Sequence, residues 1–439
     1  MSARKTALDV LIACRKQGAW SNGVLKDYIA RDKLDRRDAA LATRLSYGVQ
    51  QHRALLDFFL AQLLTGKVKD LHPVVRDILH LGLYQIYELD KIPDSAAVNE
   101  SVLLAKKYCR FQPKMAGLVN GVLRNAVRTK GTLKMPDSLA VRYSHPQKLI
   151  DALEKDLGSE VLEPMLAANN DIPLTVVQVN ALRTTVEALT EMLEEEQVKV
   201  LPHAWMPDCL VLANTGNLEA LESFKEGLFY VQDAASKLAV QCAQIPVGEK
   251  TRVLDCCAAP GGKTFAAGII MKNEGRIRSG DIHRHKTELI QRGADRLGLT
   301  NVLVREQDAT ENHPSWFEKM DVVLADVPCS GYGIIRKKPD IRYKDPDDMA
   351  RLPELQLRIL NKQAEYVKPG GVLMYSTCTL LKRENEAVVE AFLRSRKDFY
   401  LEKLTLPSVF PENTTGMLTL IPGQYDTDGF FICRMRRKA

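Results

Sequence analysis

The stretch DVPCSGYG, Asp326 to Gly333, places a carboxylate, a proline and a cysteine directly after the apolar run VVLA, and GGVLMYSTC brings a second cysteine, Cys378, to the close of another apolar run. Either cysteine alone reads as a small buried apolar residue. Two thiols at two strand ends, one beside a carboxylate, fit a more specific chemistry. Ring carbon C5 of cytosine is a poor nucleophile. A thiolate that adds to C6 gives C5 enamine character, so that it attacks a methyl donor; a base then removes the C5 proton and the thiolate is eliminated. Asp326 suits the edge of the base, where a carboxyl can hydrogen-bond N3 and the exocyclic amine and so favour cytosine over uracil. A zinc deaminase is disfavoured, because no second cysteine stands three positions after Cys329.

A methyl donor needs its own site, and AAPGGKT (258–264) is the candidate loop. A phosphate-binding P-loop needs glycine five positions before Gly262, where Cys257 stands, and G-x-G-x-x-G is absent too. What remains is a tight turn in which Gly261 and Gly262 let the backbone approach a ligand closely. Asp281 closes the strand-like SGDI, where a carboxylate can accept both hydroxyls of a ribose. Asp308 closes the next strand, where it would orient a base or amino group. A nucleoside without a pyrophosphate grip suits S-adenosylmethionine, although such a turn also occurs as structure alone.

These residues need a scaffold that brings strand ends together. After Gly248, strand-like runs (RVLD, RIRSGDI, VLVRE, MDVVLAD, GGVLMYSTC) alternate with helical stretches, which predicts an α/β sheet with ligands at the carboxyl ends of its strands. Residues 4 to about 130 carry apolar residues at helical spacing and predict a helical bundle, with Lys67, Lys69, Lys106, Lys107, Arg110, Lys114 and Arg124 either on an RNA-facing surface or on solvated faces. Between about 165 and 230, PLTVVQV, CLVLAN and FYVQD predict strands of a small α+β module. Arg336, Lys337, Lys338 and Arg342 follow DVPC and are placed to clamp phosphates beside a flipped-out or loop cytosine. Arg434, Arg436, Arg437 and Lys438 read as a solvated tail.

Composition sets outer bounds. The 439 residues, 45% hydrophobic, suffice for more than one domain. Formal charge is +6, with a pI near 8.7, which permits a polyanionic partner without demanding one. The start lacks the apolar core of a secretory signal and no stretch approaches 18 uncharged apolar residues; a soluble cytosolic protein is expected. The nine cysteines show no Cys-x-x-Cys spacing, so neither a zinc ribbon nor a redox pair is expected.

LDCCAAPGGKT (254–264), GDI (280–282), DAT (308–310), DVVLADVPCSGYG with IRKKPDIRY following, PGGVLMYSTCTL with REN, and the terminal DGFFICRMRR together resemble the bacterial small-subunit (16S) ribosomal RNA cytosine-C5 methyltransferases, the Sun or Fmu proteins. The resemblance implies an α/β, Rossmann-like S-adenosylmethionine-dependent methyltransferase core with an N-terminal all-helical NusB-like domain and a small α+β module between them. Its expected bounds are a NusB-like RNA-binding domain over 1–130, a helical linker over 131–164, an α+β RNA-binding module over 165–235 and a catalytic domain over 236–439. Cys378 would be the nucleophile, and Cys329 would help release the product as the base or its relay. Asp326 would hold the cytosine edge and Lys263 would reach the reaction centre. Cys257, Ala258, Ala259, Pro260, Gly261, Gly262 and Lys263, with Asp281, Lys286, Asp308 and Asp326, would surround S-adenosylmethionine; Lys286 stands where relatives carry arginine.

The implied partner is 16S rRNA, with neither membrane nor metal, acted on by a monomer; tRNA as substrate, or an RNA-binding assembly factor with idle chemistry, stay open as alternatives. Three further positions depart from the family pattern: Val327 for alanine, Gln307 for glycine, and Gln178 for an arginine, which removes a cation from the α+β module.

Overall fold

The computed structural model describes residues 2–17, 21–110 and 112–439, so the N-terminal stretch read for a leader ends, at 18–20, outside the described residues. The chain divides into two compact units, Met1–Asp151 with Ser159–Asp171 and Ile335–Lys344, and Ala152–Gly158 with Ile172–Ile334 and Asp345–Ala439.

The first unit is helical, as the 3.6-residue spacing predicts. Its principal helices are Ala3–Gln17, Ser21–Asp32, Arg36–Gln51, Arg53–Leu63, Pro73–Glu88, Asp94–Tyr108 and Lys114–Arg128. Pro73 occupies the first turn of Pro73–Glu88, where its missing N–H costs nothing. That helix buries residues on every side, Ile78, Leu79, Leu81, Leu83 and Ile86 among them, which marks it as the centre of the bundle.

Residues 335–344 belong to this unit and correct one expectation. Arg342, expected to clamp phosphate, is wholly buried: one terminal nitrogen donates to the Gln51 carbonyl and Asn170 Oδ1 at 2.8 Å and to the Tyr143 and Ser144 carbonyls at 3.3 Å, the other to the Asn169 carbonyl at 3.3 Å. Its terminal nitrogens are spent mainly on backbone that would otherwise lie buried and unpaired. Arg336 is buried as well, which leaves Lys338 as the exposed cation of the run.

The second unit holds two sheets. β1 (Thr175–Val179), β2 (Lys199–Pro202), β3 (Cys209–Ala213) and β4 (Phe229–Val231) form an antiparallel sheet in the order β2-β3-β1-β4. Helix Val186–Glu195 presses Leu189 and Leu193 onto Val177, Val179 and Leu210. Gln178, where a cation was missed, is fully buried on β1: its amide donates to the Gln232 carbonyl at 2.9 Å and its oxygen accepts from the Cys209 thiol. A side chain here faces the interior rather than a ligand.

The larger sheet comprises β5 (Arg252–Asp255), β6 (Arg276–Asp281), β7 (Val302–Glu306), β8 (Met320–Asp326), β9 (Val367–Thr377), β10 (Phe399–Leu401), β11 (Met417–Leu420) and β12 (Phe430–Arg437). Its order is β10-β12-β9-β8-β5-β6-β7, with β11 also on β12; β9, β8, β5, β6 and β7 run parallel. β8 and the second half of β9 are buried on both faces, and accordingly read as continuous apolar runs. Helices Ala234–Cys242, Gly262–Ile270 and Arg284–Leu297 cover one face around Val253, Ile277 and Leu324; Leu352–Ala364 and Glu386–Ser395 cover the other around Val323, Leu373 and Phe431.

The arginines of the expected solvated tail lie instead on β12, paired antiparallel to β9, and of the four cations only Lys438, past the strand, is exposed. Arg434 is 2% exposed, donating through Nε to Glu402 at 2.7 Å and through a terminal nitrogen to the Cys242 carbonyl at 2.6 Å. Arg436 shares Glu402, and Arg437 reaches Glu318 and Asp398. Each charge has a partner distant in sequence, which is why a strand of arginines can lie inside a sheet.

Candidate active site

Parallel strands deliver their carboxyl ends to one edge, and there Asp255, Asp281 and Asp326 end β5, β6 and β8. The β8–β9 register sets Asp326 opposite Ser376, whose hydroxyl donates to Asp326 Oδ1 at 2.7 Å. The other carboxylate oxygen accepts Lys263 Nζ at 2.7 Å. Lys263 rises from the first turn of helix Gly262–Ile270; its ammonium also donates to Ser236 Oγ at 2.8 Å and lies 4.9 Å from the centre of the Phe430 ring. The preceding Gly261 has φ +116°, and a Cβ there would sit 2.3 Å from the Phe265 ring, so only glycine allows this turn.

Two residues past Ser376, and three past Asp326, the chain brings Cys378 Sγ and Cys329 Sγ to 3.2 Å. The loops are fastened behind them. Gly333 N donates to the Cys378 carbonyl at 2.9 Å and Gly429 N to the Gly333 carbonyl at 2.8 Å. A Cβ on Gly333 would come within 2.0 Å of the Gly429 carbonyl oxygen, so this three-chain contact requires glycine. Ser330 N donates to buried Glu384 at 2.9 Å, and Gln356 bridges the same carboxylate to the Pro328 carbonyl at 3.0 and 2.9 Å. The neighbouring Cys378 sulfur, then burial, then the Glu384 and Asp326 charges push the Cys329 thiol well above its ordinary value.

A cavity of about 240 Å³ opens at this edge, and Cys257, Ala258, Ala259, Pro260, Gly262, Lys263, Asp326 and Cys378 line it. Gly261, Asp281, Lys286, Asp308 and Cys329 lie outside its wall. Asp281 accepts His283 N at 3.1 Å and faces Lys286 Nζ at 3.7 Å. Asp308 caps its own turn, taking Thr310 N and Oγ1 at 2.7 Å each, which lowers its pKa. Of the departures, Gln307 lies across Gly280, and Val327 is packed in the core behind the site.

Sequence reasoning missed Asp255, Ser236, Asp233 and Asp428, all on the cavity wall. Asp255 is 0% exposed; Oδ2 accepts Thr264 Oγ1 at 2.8 Å while Oδ1 has no hydrogen-bond partner among the described residues. Burial, with the Asp326 and Asp281 charges adding and Thr264 and Lys263 opposing, holds its carboxyl up at about 7. Its place at the end of β5, just before the glycine turn, was the available signal. Among the described residues no His, Cys, Asp and Glu side chains cluster as a metal site, and no helix is long and apolar enough to cross a membrane.

A glycine turn, an orphaned buried carboxylate oxygen and a second carboxylate one strand over define a pocket for a nucleoside bearing a charged amino-acid arm, the class of S-adenosylmethionine-dependent methyltransferases. The comparisons agree. Residues 240–436 match the family of 16S rRNA methyltransferase RsmB/F, residues 1–128 the NusB family, and residues 145–219 the ferredoxin-like domain of RsmF/B-like methyltransferases. A probable ribosomal RNA small subunit methyltransferase B of Bacillus subtilis is 38% identical over 100% of this chain and 99% of its own; ribosomal RNA small subunit methyltransferase B of Escherichia coli is 31% identical over 93% and 92%. The crystal structure of PH0851 matches 100% of this chain and 99% of its own with TM-score 0.80 and 25% identity. The chain belongs to the ribosomal RNA small subunit methyltransferase B family, and its methyl donor is S-adenosylmethionine.

Proposed function

We propose that this protein methylates C5 of a cytosine in small-subunit (16S) ribosomal RNA through a covalent adduct between Cys378 Sγ and C6. The observation that carries the reading is the meeting of Cys378 and Cys329 at 3.2 Å beside the Lys263–Asp326 pair. The residues present fit the methyl donor: the turn at 258–263 and the free oxygen of Asp255 face the cavity, and Asp281, with Lys286 and Asp308, stands at the neighbouring strand ends for the nucleoside. Bound there, S-adenosylmethionine supplies a methyl group on a positively charged sulfur.

Everything else falls to the chain. Asp326, fixed by Ser376 and Lys263, presents an acceptor to the cytosine amine, and the Lys263 ammonium is the proton source at N3 as Cys378 adds to C6 and the C5–C6 π electrons move toward C5. The Cys329 thiol, held protonated, donates to the Cys378 sulfur and stabilises its thiolate. Once Cys378 is bonded to carbon, the neighbouring negative charge that kept Cys329 protonated is gone. Cys329 then ionises more readily, giving its proton to solvent, and takes the C5 proton; the C5–H electrons re-form the double bond as the C6–S bond breaks, returning the Cys378 thiolate, and N3 returns its proton to the Lys263 amine. Cys378 and Cys329 thus split attack and release.

The test incubates protein, labelled S-adenosylmethionine and, separately, 16S rRNA and unmodified tRNA, and maps 5-methylcytosine. One labelled cytosine in rRNA is expected; label only in tRNA overturns the substrate. Cys378→Ala should abolish transfer, whereas Cys329→Ala should accumulate an RNA adduct that survives denaturation. Absence of that adduct in a folded Cys329→Ala protein counts against the division of roles.

A further inference from the structure

One face of the large sheet is covered over β8, β9 and β12 but left bare toward its β7 edge. In a doubly wound sheet each crossover carries a helix that covers a face. The β7–β8 connection has none, only the short 3-10 turn Pro314–Trp316, and the helices on that side, Leu352–Ala364 and Glu386–Ser395, pack over β8, β9 and β12. Beyond Trp316 the strands therefore turn their outward residues to solvent. The register aligns Arg252 on β5 with Arg276 on β6, and Arg278 on β6 with Leu303 on β7; Arg305 follows two residues later, opposite Gly280. Side chains two apart on a strand share a face about 6.7 Å apart, and neighbouring strands lie about 4.8 Å apart. Four guanidiniums thus share one small, rigid area.

They are not neutralised. Among the described residues none of the four is ion-paired to a carboxylate, and every charge bearing on Arg278 is another arginine of the set, Arg305, Arg276 and Arg252. The nearby Asp321 is engaged by Lys368 and by the Arg252 backbone N–H. Arg252, Arg276 and Arg305 are exposed, and Arg278 lies 5.1 Å over the Trp316 ring. Leu303 and Phe317, 43% and 38% exposed, stand beside them. Like charges gathered without counterions on a stable strand scaffold cost electrostatic energy that an anionic partner would recover.

We propose that this arginine face, Arg252, Arg276, Arg278 and Arg305, docks the phosphate backbone of the RNA substrate away from the catalytic cavity, with Leu303 and Phe317 against its sugars or bases. The proposal rests on RNA being the substrate, as argued above. Rigid, forked guanidiniums suit bidentate phosphate contact, whereas attachment to a lipid surface commonly uses an amphipathic helix with a basic polar face. Phosphate contacts of this kind position an RNA without reading its sequence.

The test compares wild type with R252Q/R276Q/R305Q, which leaves the Arg278–Trp316 stack intact, and with the single variant R305Q at the sheet edge. Binding of full-length 16S rRNA is measured across a salt series, with binding of S-adenosylmethionine measured separately. Each lost phosphate contact lowers the slope of log Kd against log salt by about 0.7 to 0.9, so the triple variant should lose about two units and R305Q about one, with at least tenfold weaker binding for the triple variant near 0.1 M salt. Cofactor affinity and kcat at saturating RNA should hold while KM for RNA rises. Unchanged salt slopes in both variants overturn the proposal, as does a triple variant that loses only its binding to phosphatidylserine vesicles. Wild type that binds the rRNA yet places no methyl group on it defeats the proposed activity while leaving the slopes to decide the surface.

Discussion

Glu384 offers the sharpest test of how the two thiols are held. It is 0% exposed; one carboxylate oxygen accepts Ser330 N at 2.9 Å and Gln356 Nε2 at 3.0 Å, the other has no hydrogen-bond partner among the described residues, and its main-chain oxygen accepts the Tyr375 hydroxyl at 2.6 Å. Glu384→Ala removes the charged acceptor of Ser330 N and of Gln356, which keeps the Pro328 carbonyl. Each lost hydrogen bond to a charged group costs about 1.5–3 kcal/mol, so a destabilisation of about 3 kcal/mol is expected. Glu384→Gln keeps an acceptor and trades charged bonds for neutral ones, about 1 kcal/mol. Urea unfolding, read as a lower midpoint at unchanged slope, measures both. The charge has a second effect that packing alone would not produce. A negative carboxylate disfavours the Cys329 thiolate, so Glu384→Gln should lower the thiol's pKa, and adduct breakdown, which rises with pH as Cys329 ionises, should reach its plateau at lower pH. A Glu384→Ala protein within about 0.5 kcal/mol of wild type, below the cost of even one lost charge-assisted bond, would refute the structural reasoning; a breakdown profile unmoved, or moved to higher pH, would refute the electrostatic part.

Arg342→Ala removes five hydrogen bonds to acceptors of the helical unit and should cost about 3–5 kcal/mol; a melting temperature equal to wild type would contradict its burial. Asp255, at about 7 against 3.8 unfolded, binds a proton in the fold that the unfolded chain has released, so its contribution is full below about pH 4 and is lost as pH rises through about 7, on the order of 4 kcal/mol at most. The difference in unfolding free energy between wild type and Asp255→Asn, without ligand, should therefore fall from pH 5 to 8, and a flat difference would count against the raised pKa.

The sequence yields the parallel strands readily because both their faces are buried, so VVLA and VLMYST stand out as uninterrupted apolar runs closed by the residues of the site. FFICRMRR is opaque for the opposite reason. Its arginines read as solvated until Glu402, Glu318 and Asp398 are seen beside them, and those carboxylates are brought there only by the tertiary fold. Arg342 is misread in the same way, since four of its five acceptors are main-chain carbonyls 173 to 291 residues away, which carry no signature in any side chain. Motif chemistry named Asp326, Lys263 and the two cysteines; it passed over Asp255, whose place at a strand end was legible but whose meaning lies in burial rather than in residue type.

What local motifs leave undetermined is also what makes the site work. Cys329 and Cys378 lie 49 positions apart, on loops that could each relax to separate the sulfurs. Three backbone groups, on Cys378, Gly333 and Gly429, join those loops to each other and to the start of β12, and the Ser330 and Thr379 hydroxyls meet at 2.7 Å behind the pair. The terminal strand that looks like a basic tail is therefore part of the support for the two thiols. Its arginines are satisfied inside the second unit, whereas the four on β5, β6 and β7 have no carboxylate partner among the described residues. Burial of one set of arginines and exposure of the other divides them between holding the sheet and meeting the substrate.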